Sequence, residues 1–404
     1  MQQNTQQHRV IVVGAGYTGA IAAGRLARRV RGEDVSITLV NAEPDFVERV
    51  RMHQLAMGQT LRPRPFDEMF AGTGVRLRLG KVTGVDVDRG TVSVTAPNGA
   101  GEPETLPYDT LVYALGSAWN THAVPGAAEH AHDIAGRPGA LRLRDRLAAL
   151  APGSPVTVVG GGLTGLEAAT ELAETRPDLD VSLVARGALG DWLSPKGAQH
   201  LRKVFTNLRI TAHEHTAVTA VHADRVTTAE GDIPAAVTIW TTGFAAHPIA
   251  RATTLETSDN GQIIVDATMR STSHPDVYAI GDAALVAGPG GKPLRMSCAS
   301  GVPTAWQAAD AIAARLTDGK LPTTSLRYYN QCVSLGRREG LIQYVTADDR
   351  SVGAALTGRL AALYKELVCK GAAWGVANPT LGMPTRRRRV TAERARAGVA
   401  TETA

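Results

Sequence analysis

Two glycine-rich turns constrain this chain more than any other feature. Gly14-Ala15-Gly16-Tyr17-Thr18-Gly19 follows the apolar run Val10-Ile11-Val12-Val13, and Gly160-Gly161-Gly162-Leu163-Thr164-Gly165 follows Val156-Thr157-Val158-Val159. Each turn opens an alanine-rich helical stretch. Short, continuously apolar runs are what strands covered on both faces require. In a strand–turn–helix of this kind the first glycine makes the tight turn, the second lets the backbone approach a pyrophosphate, and the third packs helix on strand. The helix N-terminus then presents free N–H groups to the anion. One such pattern is weak, but two in the same context predict two dinucleotide folds in one chain.

The remaining composition sets limits. A chain of 404 residues, 44% hydrophobic and 20% charged, is that of a globular protein of two to three domains. Met1 to Arg9 is polar and carries no apolar secretory segment, and no run approaches the ~18 apolar residues of a membrane span. The expectation is a cytoplasmic enzyme or one peripheral to the inner membrane face. Cys298, Cys332 and Cys369 are scattered, with no metal-ligand spacing and no Cys-x-x-Cys pair, so neither a metal site nor a dithiol relay is expected. The net charge of +5 sits mostly at one end. Residues 386–404 hold Arg386, Arg387, Arg388, Arg389, Arg394 and Arg396 against Glu393 and Glu402, a balance of +4 that leaves the body at +1. A solvated, disordered tail over 381–404 is expected, with anionic lipid as the alternative contact and nucleic acid disfavoured.

Further segments extend the pattern. Val35 to Val40 reads as the second strand of the first fold and closes at Asn41, where an acid would ordinarily bond the adenosine ribose; the Asn41 amide can still do so, with Glu43 nearby. In the second fold the matching strand, Val181 to Val184, ends at Ala185-Arg186. Alanine removes the repulsion of a 2′-phosphate and arginine supplies a cation, so NADPH is favoured slightly over NADH. Ser273 to Asp282 is a short apolar strand ending in Gly281-Asp282.

Taken with the two glycine turns, this last segment resembles the second flavin fingerprint of the two-dinucleotide-domain, pyridine-nucleotide-dependent flavoprotein reductases. The segments ending at Gly116 and Gly243 resemble that family's crossovers between domains. The nearest branch is similar to type II NADH dehydrogenases and the apoptosis-inducing-factor-like ferroptosis suppressor quinone reductases, including the stretch Pro44 to Arg51 that places Arg51 near the cofactor. The resemblance implies an α/β fold with two Rossmann-like domains, for FAD and NAD(P)H, plus a small C-terminal α/β domain. Its expected boundaries are 1–117 with 246–325 for FAD, 118–245 for NAD(P)H and 326–380 for the C-terminal unit. It further implies that Asp282 accepts from the ribityl chain and that Glu167 lies by the nicotinamide, a helix-dipole glutamate being the structural alternative. A helix starting at Pro303-Thr304-Ala305 is expected to aim its N-terminus at the flavin.

These readings imply an FAD-dependent NAD(P)H oxidoreductase that passes electrons to a quinone or another small acceptor. Two alternatives stay open: a reductase of a small iron–sulfur carrier, and a non-enzymatic NAD(P)H-responsive flavoprotein. Ala305-Trp306 stands where the quinone-reducing relatives have Ala-Gln, and Trp306 reads as either core or an aromatic slot. Leu356, Leu360, Leu363 and Leu367 recur at helical spacing with Lys365 opposite. That stripe is expected to pack on its own domain, with membrane docking as the sharper alternative, and the C-terminal region could also make a homodimer interface.

Overall fold

The computed structural model describes residues 7–121, 124–323 and 325–391. In chain order its main elements are β1 (His8–Val13), α1 (Tyr17–Ala27), β2 (Val35–Asn41), β3 (Val75–Leu79) and β4 (Thr110–Tyr113). They continue with β5 (Ala131–Asp133), β6 (Pro155–Val159), α2 (Leu163–Thr175), β7 (Asp180–Val184), β8 (Thr211–His213) and β9 (Val237–Trp240). Last come β10 (Val277–Ala279), α3 (Cys298–Leu316), β11 (Asn330–Ser334), β12 (Gly340–Val345), β13 (Ser351–Thr357) and α4 (Arg359–Ala377).

Two five-stranded parallel sheets result, in the orders β10-β4-β1-β2-β3 and β8-β7-β6-β9-β5. Their central strands are buried on both faces, which is why their sequences run apolar without alternation. Each sheet is accompanied by a three-stranded antiparallel sheet, 81–107 beside the first and 218–234 beside the second. The chain passes between the two units along Ser117–Trp119 and returns along Phe244–Ala246, and these two segments pair antiparallel. β11, β12 and β13 form a separate antiparallel sheet against which α4 packs.

The glycine turns repeat one geometry. Gly14 has φ +92° and Gly160 φ +130°, and a Cβ at either would lie within 2.5 Å of an oxygen, Ala114 O or Thr241 Oγ1. At Gly19 and Gly165 a Cβ would fall on the carbonyl oxygen of Gly14 or Gly160, under 2 Å away. At the middle glycines, Gly16 and Gly162, a Cβ would meet nothing within 4 Å. The outer glycines therefore serve packing, and the middle ones face open space at the two helix N-termini.

Three expectations are corrected. Helix α3 begins at Cys298, with extended Ser297 as its N-cap, so Pro303 lies inside the helix and does not start it. The Ser300 hydroxyl donates to the carbonyls of Ser297 and Arg295, which anchors the earlier start. The leucine stripe is also redrawn. Leu356 ends a strand, while Leu360, Leu363 and Leu367 on α4 are 68%, 57% and 60% exposed, because α4 packs through Ala361, Cys369, Ala373 and Val376. The tail, finally, is tied to the first unit within its described residues. Arg388 exchanges backbone hydrogen bonds with Arg29 and Arg31, and Val390 N donates to the Asp34 carboxylate. Glu393, Arg394, Arg396 and Glu402 lie outside the described residues.

The glycine geometry predicts opposite outcomes for two similar substitutions. Gly165→Ala should lose about 3 kcal/mol or more of stability in denaturant unfolding, whereas Gly162→Ala should unfold within ~0.5 kcal/mol of the parent.

Candidate functional site

Open parallel sheets place ligands beyond the carboxyl ends of their strands. Here both sheets direct those ends into one cavity of about 1420 Å³. Its wall includes Gly14, Gly16, Tyr17 and Thr18 from the first turn and Gly160, Gly162, Leu163 and Thr164 from the second. Gly19 and Gly165 sit behind these turns as helix-to-strand packing positions. The open faces of Gly16 and Gly162 are the cradles that a pyrophosphate needs, so the backbone fits one dinucleotide at each helix N-terminus.

Around the first turn, Asn41 lines the cavity but its amide is already engaged. Oδ1 accepts from the Ala15 N–H at 3.0 Å and Nδ2 donates to the Glu43 carbonyl at 2.8 Å, so Asn41 braces the glycine turn. Gly281 adopts φ +65°, and a Cβ there would lie 2.8 Å from the Thr18 side chain. That close approach brings Asp282 to the wall, where it accepts a 2.6 Å hydrogen bond from the Ser117 hydroxyl. Gly116 (φ +69°) and Gly243 (φ +71°) turn the two crossovers at the same wall. On the second sheet, Ala185 and Arg186 line the cavity beyond β7.

Glu167 lies at the junction of the three units. Only 8% exposed, it forms an ion pair with Lys365 of α4 at 2.9 Å, accepts from the Ser334 N–H at 3.0 Å and faces His53 Nδ1 at 3.8 Å. Burial opposes ionisation of Glu167, but Lys365, His53 and the Ser334 N–H together hold its carboxyl below the usual range. Burial likewise works against the Lys365 ammonium, yet the Glu167 carboxylate lifts it above the ordinary lysine range. His53 goes the other way, since burial brings it down to about 4 and leaves it neutral, with Nε2 unpartnered among the described residues.

Four expected site residues are not brought to the cavity. Arg51 commits its guanidinium to Glu366 (3.0 Å) and Glu48 (3.2 Å), tying its loop to α4, and neighbouring Arg49 lines the wall instead. Pro303, Thr304 and Ala305 lie along α3 past its N-terminus. The Thr304 hydroxyl accepts from the Gly281 N–H and Ala305 is core. Trp306 packs against the core beneath Arg25. The helix end that meets the cavity is Ser297-Cys298-Ala299.

Sequence reasoning also missed His53, Lys365 and the convergence of Cys298, Cys332 and Cys369 on this wall. Burial raises all three thiols, Cys332 to about 11, so they stand protonated at neutral pH.

Residues 8–313 match the family described as pyridine nucleotide-disulphide oxidoreductase. The chain belongs to this family. Among relatives of this oxidoreductase is the NADH dehydrogenase-like protein YutJ of Bacillus subtilis, 26% identical over 278 residues, covering 68% of this chain and 76% of YutJ. Another is the demethylphylloquinone reductase NdbB of Synechocystis, 27% identical over 292 residues, covering 68% and 72%. A solved structure of an engineered water-forming NADPH oxidase from Lactobacillus brevis bound to NADPH superposes with a TM-score of 0.72 at 19% identity, covering 98% of this chain and 100% of that one. That last likeness is one of fold.

The next turn of α2 carries a second buried acid. Glu171 is fully buried, and burial, reinforced by Glu174 and Glu167 against the opposing Arg337, brings its carboxyl up to about 7. A carboxyl raised on folding adds stability below its unfolded pKa and loses it as pH rises through the folded one; the neutral His53 contributes above its unfolded value and loses that as pH falls toward 4. Glu171→Gln should therefore match the parent near pH 4.5 and exceed it by about 3 kcal/mol above pH 7, read as the difference in urea unfolding across that range.

Proposed function

We propose that this oxidoreductase holds FAD on the first glycine turn and NADPH on the second, and delivers the electrons to a quinone. The observation that carries the reading is the single cavity shared by both turns, with the buried Glu167–Lys365 pair on its wall. Gly16 and Gly162 leave room for the two pyrophosphates, and Asp282 and the α3 N-terminus flank the first site. FAD, when bound, supplies two-electron transfer between nicotinamide and acceptor.

The protein's part is position and field. Both ligands enter one confined space, so their reactive rings meet without a diffusive encounter. The N-terminus of α3 directs a positive dipole end into the cavity, where reduction adds negative charge. Lys365 places a fixed ammonium on the same wall. An acceptor oxygen that gains charge there meets a cation and a proton donor, and Glu167 keeps that donor charged and in place.

NADPH preference is supported by Ala185-Arg186. In the engineered NADPH oxidase, an aspartate and the alanine after it were replaced by alanine and arginine, the same dipeptide. Quinone as acceptor is supported by the demethylphylloquinone reductase among the relatives. Among the described residues no helix is long and apolar enough to cross a membrane. The exposed Leu360, Leu363 and Leu367, with Trp374 and the cations Arg359 and Lys370 on the same helix, support peripheral docking of α4 on an anionic bilayer.

Two measurements check this reading. Arg186→Ala should lower the NADPH/NADH ratio of kcat/KM by about 10-fold, and an unchanged ratio removes the 2′-phosphate assignment. Lys365→Met should slow steady-state quinone reduction by ~100-fold while flavin reduction by NADPH, followed anaerobically by stopped flow, stays near the parent rate.

A further inference from the structure

We propose that a second cavity, beside the N-terminal half of α4, is a seat for the phosphodiester headgroup of an anionic phospholipid. This rests on the docking of α4 proposed above and names the group that the docked face would hold. The cavity measures about 620 Å³, within the size range of sites that hold small molecules.

The charged groups on its wall are Arg337 and Arg338, from the turn between β11 and β12, and Arg359, Lys365 and Glu366 of α4. Two of the five are already paired, Lys365 with Glu167 and Glu366 with Arg51 and Lys370. The three arginines are not. Among the described residues none of their guanidinium groups makes a hydrogen bond or an ion pair, and all three residues are exposed. The acids close by are turned elsewhere. Glu339 lies against His200 at 3.3 Å, and Glu174 accepts from the Arg337 backbone N–H. Gly336 beside it adopts φ +95°, where a Cβ would lie 2.6 Å from the Glu174 carboxylate. The turn is thus drawn onto α2 by its backbone, which leaves the side chains of Arg337 and Arg338 at the surface.

Three unpaired cations around one concavity focus a positive field that gathers anions. Guanidinium forks match phosphate oxygens two at a time, which a diffuse attraction does not require. The rim decides the source of the phosphate. Leu363 borders the cavity and also belongs to the exposed row that it forms with Leu360 and Leu367 along α4. A headgroup seated among the arginines therefore has its acyl chains beside the leucines, a contact that free phosphate leaves unused. A choline headgroup would bring an ammonium against the same positive wall, so the site selects anionic lipid over zwitterionic lipid.

The test measures sedimentation of the FAD-loaded protein with vesicles of phosphatidylcholine, alone or mixed with phosphatidylglycerol. The parent should bind the mixed vesicles at least ~10-fold more tightly than phosphatidylcholine alone. Replacing Arg337, Arg338 and Arg359 together by glutamine should weaken that binding by about 100-fold. Replacing the same three by lysine, which keeps the charge and loses the fork, should weaken it by about 10-fold. Urea unfolding reports whether either variant is destabilised, and the lysine variant carries the test if the glutamine variant is. Equal binding of the parent to both vesicles, or a lysine variant that binds like the parent, overturns the headgroup site and leaves docking through α4 standing. A parent that binds neither vesicle overturns the docking and the headgroup site together. Inorganic phosphate that raises the melting temperature of the parent but not of the glutamine variant, without vesicle binding, assigns the cavity to free phosphate and overturns the lipid.

Discussion

The structure depends on the absence of a side chain at four points, Gly14, Gly19, Gly160 and Gly165. At each of them a Cβ would collide with an oxygen of the turn or of the neighbouring strand. Because the strand, the turn and the helix can approach this closely, the helix N-termini stand directly above the ends of β1 and β6 with Gly16 and Gly162 open to the cavity. Everything placed there by other segments, from Asp282 to Arg186, is arranged around those two openings.

The second constraint is electrostatic. Glu167 stands just past the first turn of α2 and is buried. A buried carboxylate needs a cation, and that cation comes from α4 about two hundred residues later. The C-terminal unit is thereby tied to the cavity wall, a tie repeated by Arg51 and Glu366. The small C-terminal sheet thus completes the site instead of only covering it. It also leaves the opposite face of α4 apolar and outward, so the helix that supplies Lys365 inside presents Leu360, Leu363 and Leu367 outside.

The parts legible in the sequence are those written locally. Each glycine turn and its flanking strand lie within a dozen residues, and their spacing carries the steric requirement directly. Gly281-Asp282 was legible for the same reason. The start of α3 was not, because Pro303 suits a first turn by its fixed φ, while Ser297 and Ser300, which set the actual start, give only a weak cap signal. Arg51 and Arg49 are equivalent by sequence, and only the position of Glu366 decides which one is withdrawn from the cavity. Lys365, His53 and the three cysteines share no local pattern at all. Their meeting is a product of tertiary packing, and only an unexplained lysine on the far side of the leucine stripe hinted at it. The acidic face of α2 was present as Glu167, Glu171 and Glu174, yet burial of the middle one is invisible until β11 and the segment after Met52–Ala56 close over it.

The central claim is that one cavity seats a flavin and a reduced nicotinamide within reach of each other. Anaerobic mixing of the FAD-reconstituted protein with NADPH, followed by flavin absorbance, tests it most directly. The account predicts a yellow protein that bleaches within seconds at stoichiometric NADPH; a protein that stays colourless after reconstitution, or stays oxidised under excess NADPH and NADH, contradicts it.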